Sequence, residues 1–248
     1  AQEEQIYIVS FNSDINEETL SSSGATVIQT IKNAPIAIIK ADEATAIALQ
    51  KVEEITAIEQ NEQVNASAQQ LNWGIKPIKI PQAWETGYTG KGVKIAIIDT
   101  GSGPHDDLEV VKRISFVKSE PSTTDFNGHG THIAGIIGAK DNHFGTKGIA
   151  PDAELYALKV FDKSGNGYTH DVIQAIDWAI EQKMDIINMS LTSESNLSSY
   201  ETLIDRAYRN GILIVGAAGN ETSTDVTSDN VQYPARYKNV IAVSSVDW

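Results

Sequence analysis

Cysteine is absent from the 248-residue chain, which excludes disulfides, thiol catalysis and cysteine-ligated zinc. A chain of this length buries a core without covalent staples, so the absence does not fix a compartment. Basic residues are scarce: 19 Lys and Arg stand against 33 Asp and Glu, giving a net charge of −14 and a pI near 4.7. That field repels phosphate backbones and anionic bilayers, so neither nucleic acid nor a membrane is an expected partner. It leaves many carboxylates able to bind hard cations. No apolar run approaches the roughly 20 residues a membrane span needs. The start lacks a basic segment followed by an apolar one, so any signal peptide is expected to have been removed or never to have existed.

What is present divides into two textures. Residues 5–60 read as a small α+β unit, beginning with the alternating strand "QIYIVSF". "DINEETLSSSG" and "ADEATAIALQKV" suit short helices, while "ATVIQTI", "APIAIIK" and "EITAIEQ" suit strands. The order β-α-β-β-α-β predicts a split βαβ, ferredoxin-like sandwich. "NEQVNASAQQ" (61–70) is polar and without periodicity, an exposed joint with a boundary near Ser67–Ala68.

From Trp73 the apolar runs "VKIAIID", "LYALKVF", "DIINMSL", "ILIVGAAG" and "VIAVSSV" predict strands covered on both faces. They alternate with amphipathic stretches, clearest at 169–183 and 200–211. The predicted fold is therefore α/β, a mostly parallel sheet with helices on both faces. In such sheets a site lies beyond the carboxyl ends of the strands. Asp99 closes one strand and Asn220 follows another, so both fall on that edge. Each alone could be a turn residue.

Two of the five histidines stand three apart in "DFNGHGTHIAG" (125–135), beside an apolar run that predicts a buried helix. "HGTH" lacks the i, i+4 spacing and the glutamate of a zinc helix, and no cysteine is available to complete a site. A general base whose tautomer is set by Asp99 fits better, since neutral imidazole accepts a proton near pH 7.

In this order, "AIIDTG", "NGHGTHIAG" and "GAAGNE" closely resemble the subtilisin-like serine proteases, with further matches in "GIAPDAELYALKV", "INMSL" and "YPARY". The resemblance runs from about Gln69 to Trp248. It implies a serine endopeptidase with Asp99 as triad acid, His129 as general base and Asn220 as oxyanion-hole donor; His132 would brace the loop. It also implies a secreted protein acting on protein or peptide substrates. Residues 1–67 resemble the family's inhibitory propeptide, notably "IYIVSF", with 68–248 as the peptidase domain. The propeptide would be docked on that domain, with "NEQVNAS" running into the cleft.

The Gly-Thr-Ser-x-Ala-like segment that carries the family's nucleophile does not occur, and Ser190, Ser244 and Ser245 do not replace it. The chain is thus expected to be an amino-terminal portion of a precursor, inactive alone, cut or truncated before the serine segment or partnered by a second chain that carries it. Alternatives are a catalytically dead binding module or a processed inhibitory fragment. By the same resemblance Ser190, Leu191 and Thr192 form the specificity wall, with Thr192 where glycine is usual. Gly165, Asn166 and Gly167 form the segment that pairs with substrate backbone, their glycines allowing close approach. "KDNHFGTKG" resembles a calcium loop: Asp107 and Asn142 would give side-chain oxygens, Gln69 an amide oxygen, and Lys140, Phe144 and Thr146 carbonyls.

Overall fold

The computed structural model describes residues 4–66, 75, 78–142, 145–220 and 230–245. Strand β1 (Gln5–Phe11), helix α1 (Glu17–Ser22), strands β2 (Thr26–Thr30) and β3 (Ile36–Ala41), helix α2 (Glu43–Leu49) and strand β4 (Ile55–Gln60) make a four-stranded sheet of order β2-β3-β1-β4. Its pairings are antiparallel, as the β-α-β-β-α-β reading requires. Both helices are short and capped from within: Asn16 Oδ1 accepts from the Thr19 amide at 3.1 Å, and Asp42 Oδ1 from the Thr45 amide at 2.8 Å. The period of two then sorts the apolar residues. Tyr7, Val9, Phe11 and Ile39 pack with Leu20 and Leu49 under the helices. Ile8, Ile36 and Ile38 point the other way and join the core of the second unit.

The chain continues through β5 (Gln63–Ala66), α3 (Ile80–Glu85), β6 (Lys94–Asp99), β7 (Val110–Ser115), α4 (His129–Gly138), β8 (Glu154–Lys159) and β9 (Asn166–Tyr168). It ends with α5 (Thr169–Glu181), β10 (Ile186–Met189), β11 (Leu191–Thr192), α6 (Ser198–Arg209), β12 (Leu213–Ala217) and β13 (Ile241–Val243). Six strands form a parallel sheet of order β13-β12-β10-β6-β8-β7. Successive residues of β6 serve opposite faces: Ala96 and Ile98 meet Ile173, Ile176 and Leu203 of α5 and α6, while Ile95 and Ile97 meet Ile133 and Ala134 of α4. The expected α/β layering, helices on both faces of a parallel sheet, is what forms.

Three features differ from the sequence reading. The last strands are not covered on both faces: Leu213, Ile241 and Val243 are each about half exposed, and β13 is exposed along its length. Their apolar composition therefore marks a face that no described residue fills. Strand β7 has no clear alternation because Lys112 and Arg113 interrupt it; it is the opposite edge of the sheet, where charge is tolerated. The polar joint is not wholly exposed either. Gln63–Ala66 pairs antiparallel with β9 on one side and β11 on the other, burying Val64. Its order comes from partners distant in sequence, which local periodicity does not register.

The two units are also joined at helix ends. Neither α5 nor α6 is capped by its own N-cap residue, Tyr168 or Leu197. Asn61 Oδ1 accepts from the His170 amide at 3.0 Å, and the Glu59 carboxylate accepts from the Ser198 and Ser199 amides, the latter at 3.1 Å. On the exposed side, Asp177 of α5 accepts from the Lys32 and Asn33 amides at 3.2 and 2.9 Å.

Candidate active site

Because β6, β10 and β12 run parallel, the residues after them share one edge of the sheet. Asp99 ends β6 there, Ser190 follows β10, and Asn220 lies beyond β12 after Gly219 at φ +115°. Asp99 is fully buried, and its Oδ1 lies 2.7 Å from both His129 Nδ1 and the Thr100 amide nitrogen. Burial pushes the Asp99 carboxyl above its ordinary range, against the bonds from His129 and the Thr100 amide that favour the anion. Its Oδ2 is buried without a partner among the described residues.

The glycines around His129 have separate reasons. Gly128 precedes α4 at φ +99°, a conformation side chains disfavour. At Gly130 an added Cβ would lie 2.2 Å from the Gly101 carbonyl oxygen, so only glycine lets α4 pass this close to the end of β6. That contact places His129, the first residue of α4, against Asp99. His132 sits one turn on, its Nε2 buried without a partner among the described residues.

Three residues of this neighbourhood went unassigned in the sequence. Asp125 accepts from the Gly128 and Thr131 amides at 2.8 Å each, the Thr131 hydroxyl at 2.6 Å, the Asn127 amide at 3.0 Å and the Thr100 hydroxyl at 2.8 Å. Burial alone would raise its pKa, yet these bonds outweigh it and hold the carboxyl below the usual range. Thr100 Oγ1 in turn accepts from the Gly130 amide at 2.8 Å. Lys159 is fully buried; its ammonium donates to the Thr100 carbonyl at 3.0 Å and the Phe161 carbonyl at 2.6 Å, with Glu120 at 3.5 Å. An acid opening a D-x-N-G turn and a lysine inside an apolar strand were the available signals.

Beside the pair, β9 and β11 flank β5 as a three-stranded antiparallel sheet. Gln63, Val64 and Asn65 oppose Tyr168, Gly167 and Asn166; Asn65 and Ala66 oppose Thr192 and Leu191. The glycines here have requirements within the protein's own packing and backbone. A Cβ on Gly167 would meet the Val160 carbonyl and the Phe161 ring, both at 2.5 Å, and Gly165 turns at φ +80°. Ser190 is buried and its hydroxyl accepts from Asn188 Nδ2 at 3.1 Å; Leu191 is buried and Thr192 partly so.

Of the expected cation ligands, Gln69 and Phe144 lie outside the described residues. Asp107 is buried: its Oδ2 accepts from the Thr146 amide at 2.9 Å and its carbonyl from the Lys140 amide at 2.9 Å. Its Oδ1 has no partner among the described residues. Asn142 and Thr146 are exposed in the same loop. The structure therefore brings Lys140 and Thr146 to Asp107 through their amides, which bond its carbonyl and Oδ2, while its Oδ1 is left over among the described residues. No helix among the described residues is long and apolar enough to cross a membrane.

Comparison with known proteins identifies the family. The sequence profile of the subtilase family (Peptidase_S8) matches residues 90–247. The chain is 39% identical to the minor extracellular protease Epr of Bacillus subtilis, covering 98% of this chain and 40% of that protein. It is 48% identical to a thermostable alkaline protease of Halalkalibacterium halodurans over 76% of this chain and 51% of the relative. With subtilisin Savinase of Lederbergia lenta the identity is 44%, over 73% and 65%. The chain thus spans less than two thirds of each of these three relatives.

Proposed function

From the premise that the chain belongs to the subtilase family, we propose that it is part of a serine endopeptidase precursor, with residues 1–67 an inhibitory propeptide docked on a peptidase domain starting near Ala68. One observation supports the reading: β5 is an extended segment paired on both sides, with β9 and β11, in a small sheet beside the edge where Asp99 holds His129 at 2.7 Å, as a bound substrate strand would be. Main-chain pairing of this kind recognises an extended peptide whatever its side chains, and pockets under alternate residues add preference. Val64 is the buried residue of β5, packed in the main core, and is the one placed for such a pocket.

In the proposed reaction a serine hydroxyl attacks the scissile carbonyl carbon. His129 Nε2 takes the hydroxyl proton and passes it to the leaving amine, which departs as the C–N bond breaks. Asp99, by accepting from Nδ1–H, sets the tautomer that makes Nε2 the basic atom and stabilises the imidazolium once formed. The Asn220 amide donates to the oxygen on which charge develops; loss of this donor costs about 2.7–4 kcal/mol in subtilisin itself. Serine in the family's nucleophile context is absent from these 248 residues. We therefore assign it to polypeptide outside them, which would also cover the exposed face of β12 and β13. Secretion is proposed with the same reading, since one relative is named as extracellular.

Calcium fits the loop around Asp107. The donors are all oxygens, and the buried, unpartnered Oδ1 is the kind of atom a hard cation satisfies. Asp107 and Asn142 would hold it, with Gln69 and the carbonyls of Lys140, Phe144 and Thr146. It would supply structural stability to the loop.

A fluorophosphonate that labels activated serines tests the reading. The 248-residue chain is expected to remain unlabelled, whereas the protein extended through the serine segment is labelled and loses labelling on His129→Ala. Labelling of the 248-residue chain would contradict the assignment. Amino-terminal sequencing of matured protein is expected to begin within a few residues of Ala68.

A further inference from the structure

Asp125 takes no part in the reaction proposed above, yet its carboxylate collects donors from both elements that carry the pair. On one side it holds α4, through the Gly128 and Thr131 amides and the Thr131 hydroxyl at 2.6–2.8 Å. On the other it holds the end of β6, through the Thr100 hydroxyl at 2.8 Å. Thr100 is adjacent to Asp99, and the same hydroxyl oxygen accepts from the amide of Gly130, adjacent to His129. The chain Asp125–Thr100–Gly130 therefore bridges the two backbones whose side chains must meet. Lys159 pins the same residue from the sheet by bonding the Thr100 carbonyl.

We propose that Asp125 is a positioning residue for the Asp99–His129 pair, fixing the end of β6 to the first turn of α4 through Thr100. Two consequences follow, one geometric and one electrostatic. Hydrogen-bond strength between Asp99 and His129 depends on keeping two independent backbone segments in register, and a single carboxylate sets that register. As an anion it also favours a proton on the nearby imidazole; the same charge opposes ionisation of Asp99. Charged and titratable groups described near His129 include Asp99 from β6, Asp125 from the preceding loop, His132 one turn along α4, and Lys159 from β8 with its partner Glu120. Lys159 is common to every variant below, so differences among them report the named substitution.

The inference rests on the Asp99–His129 reading and is tested so that the two can fail separately. Titration of the His129 ring by nuclear magnetic resonance needs no turnover and is done on the 248-residue chain, with His129→Ala identifying the resonance. In Asp99→Asn the midpoint is expected to fall, which checks the pair itself. In Asp125→Asn it is expected to fall by about 0.5–1 pH unit, as loss of a neighbouring anion requires. In Thr100→Val, which keeps the charge of Asp125, the midpoint should move less, but the His129 Nδ1 proton should exchange with water at least several-fold faster. Thr100→Ser, which restores the oxygen, should return that rate to the parent value. An unmoved midpoint in folded Asp125→Asn overturns the positioning role while leaving the pair intact. An unmoved midpoint in Asp99→Asn overturns both. Should Asp125→Asn fail to fold, the Thr100 variants decide: equal exchange in Val and Ser refutes the bridge.

Discussion

The small unit caps its own helices, whereas the two long helices of the large unit take caps from the small one. Asn16 and Asp42 lie within three residues of the amides they serve; Asn61 and Glu59 lie over a hundred residues from theirs. Packing shows the same asymmetry. The small unit keeps a separate core under its helices, while Ile8, Ile36 and Ile38 supplement the core formed by α5 and α6. The small unit carries no candidate catalytic group, whereas Asp99, His129 and Asn220 all lie in the large one. One unit thus lends order, and on the proposed reading the other holds the groups for chemistry.

That division can be broken in several places. The largest expected effect is on chemistry alone: in the protein completed with its serine segment, His129→Ala should lower turnover on the order of 10⁶-fold, as for the corresponding residue in subtilisin itself. Docking of residues 1–67, read by co-purification after cleavage, should be unchanged. Next comes stability intrinsic to the large unit. A calcium concentration about a hundredfold above Kd should stabilise it by roughly 2.7 kcal/mol. Thermal unfolding with and without chelator measures this, and Asn142→Ala should shrink the response.

The donated caps rank third. Glu59→Ala and Asn61→Ala should each cost about 0.5–2 kcal/mol, seen as weaker association of the two units after cleavage of the joint. Asp42→Ala should cost about as much in unfolding of the small unit while leaving association through Glu59 intact. Equal effects of Asp42→Ala and Glu59→Ala on association would erase the distinction between internal and donated caps.

The smallest effect has the least obvious sign. The carboxyl of Asp99 has a pKa raised above its reference of 3.8, chiefly by burial, so its ionised form is disfavoured by folding. It therefore subtracts stability above that reference, and the penalty fades as pH falls toward and below 3.8. Asp99→Asn should unfold no earlier than the parent at neutral pH, with any advantage vanishing in acid. An early-unfolding Asn variant at pH 7 would show that the bonds from His129 and Thr100 return more than burial removes.

Legibility in the sequence followed the range of the interactions. "QIYIVSF" and "VKIAIID" announce strands because each strand's own side chains record which faces are buried. Asp99 and His129 were readable from strand-end position and glycine spacing. Thr100 and Asp125 were not, because their roles depend on a hydroxyl and a carboxylate meeting across 25 residues of chain. β5 failed for a related reason: three of its four residues are polar or small, and its order comes from β9 and β11. Gly167 was legible as a requirement for closeness, but the neighbours requiring it include Phe161 beneath, which no spacing rule names.

The pairing of β5 has a consequence for dosage. While the joint is intact, β5 is covalently part of the chain that carries β9 and β11, so its effective concentration between them is set by linkage and does not fall on dilution. Cutting the joint leaves every hydrogen bond in place but makes the same association bimolecular. Occupancy of the groove then depends on how dilute the protein is, so the contacts that hold one chain shut would release the cut one on dispersal. On the proposed reading the strand would be a lock where protein is crowded and a weakening inhibitor where it is dilute, with no change in its structure.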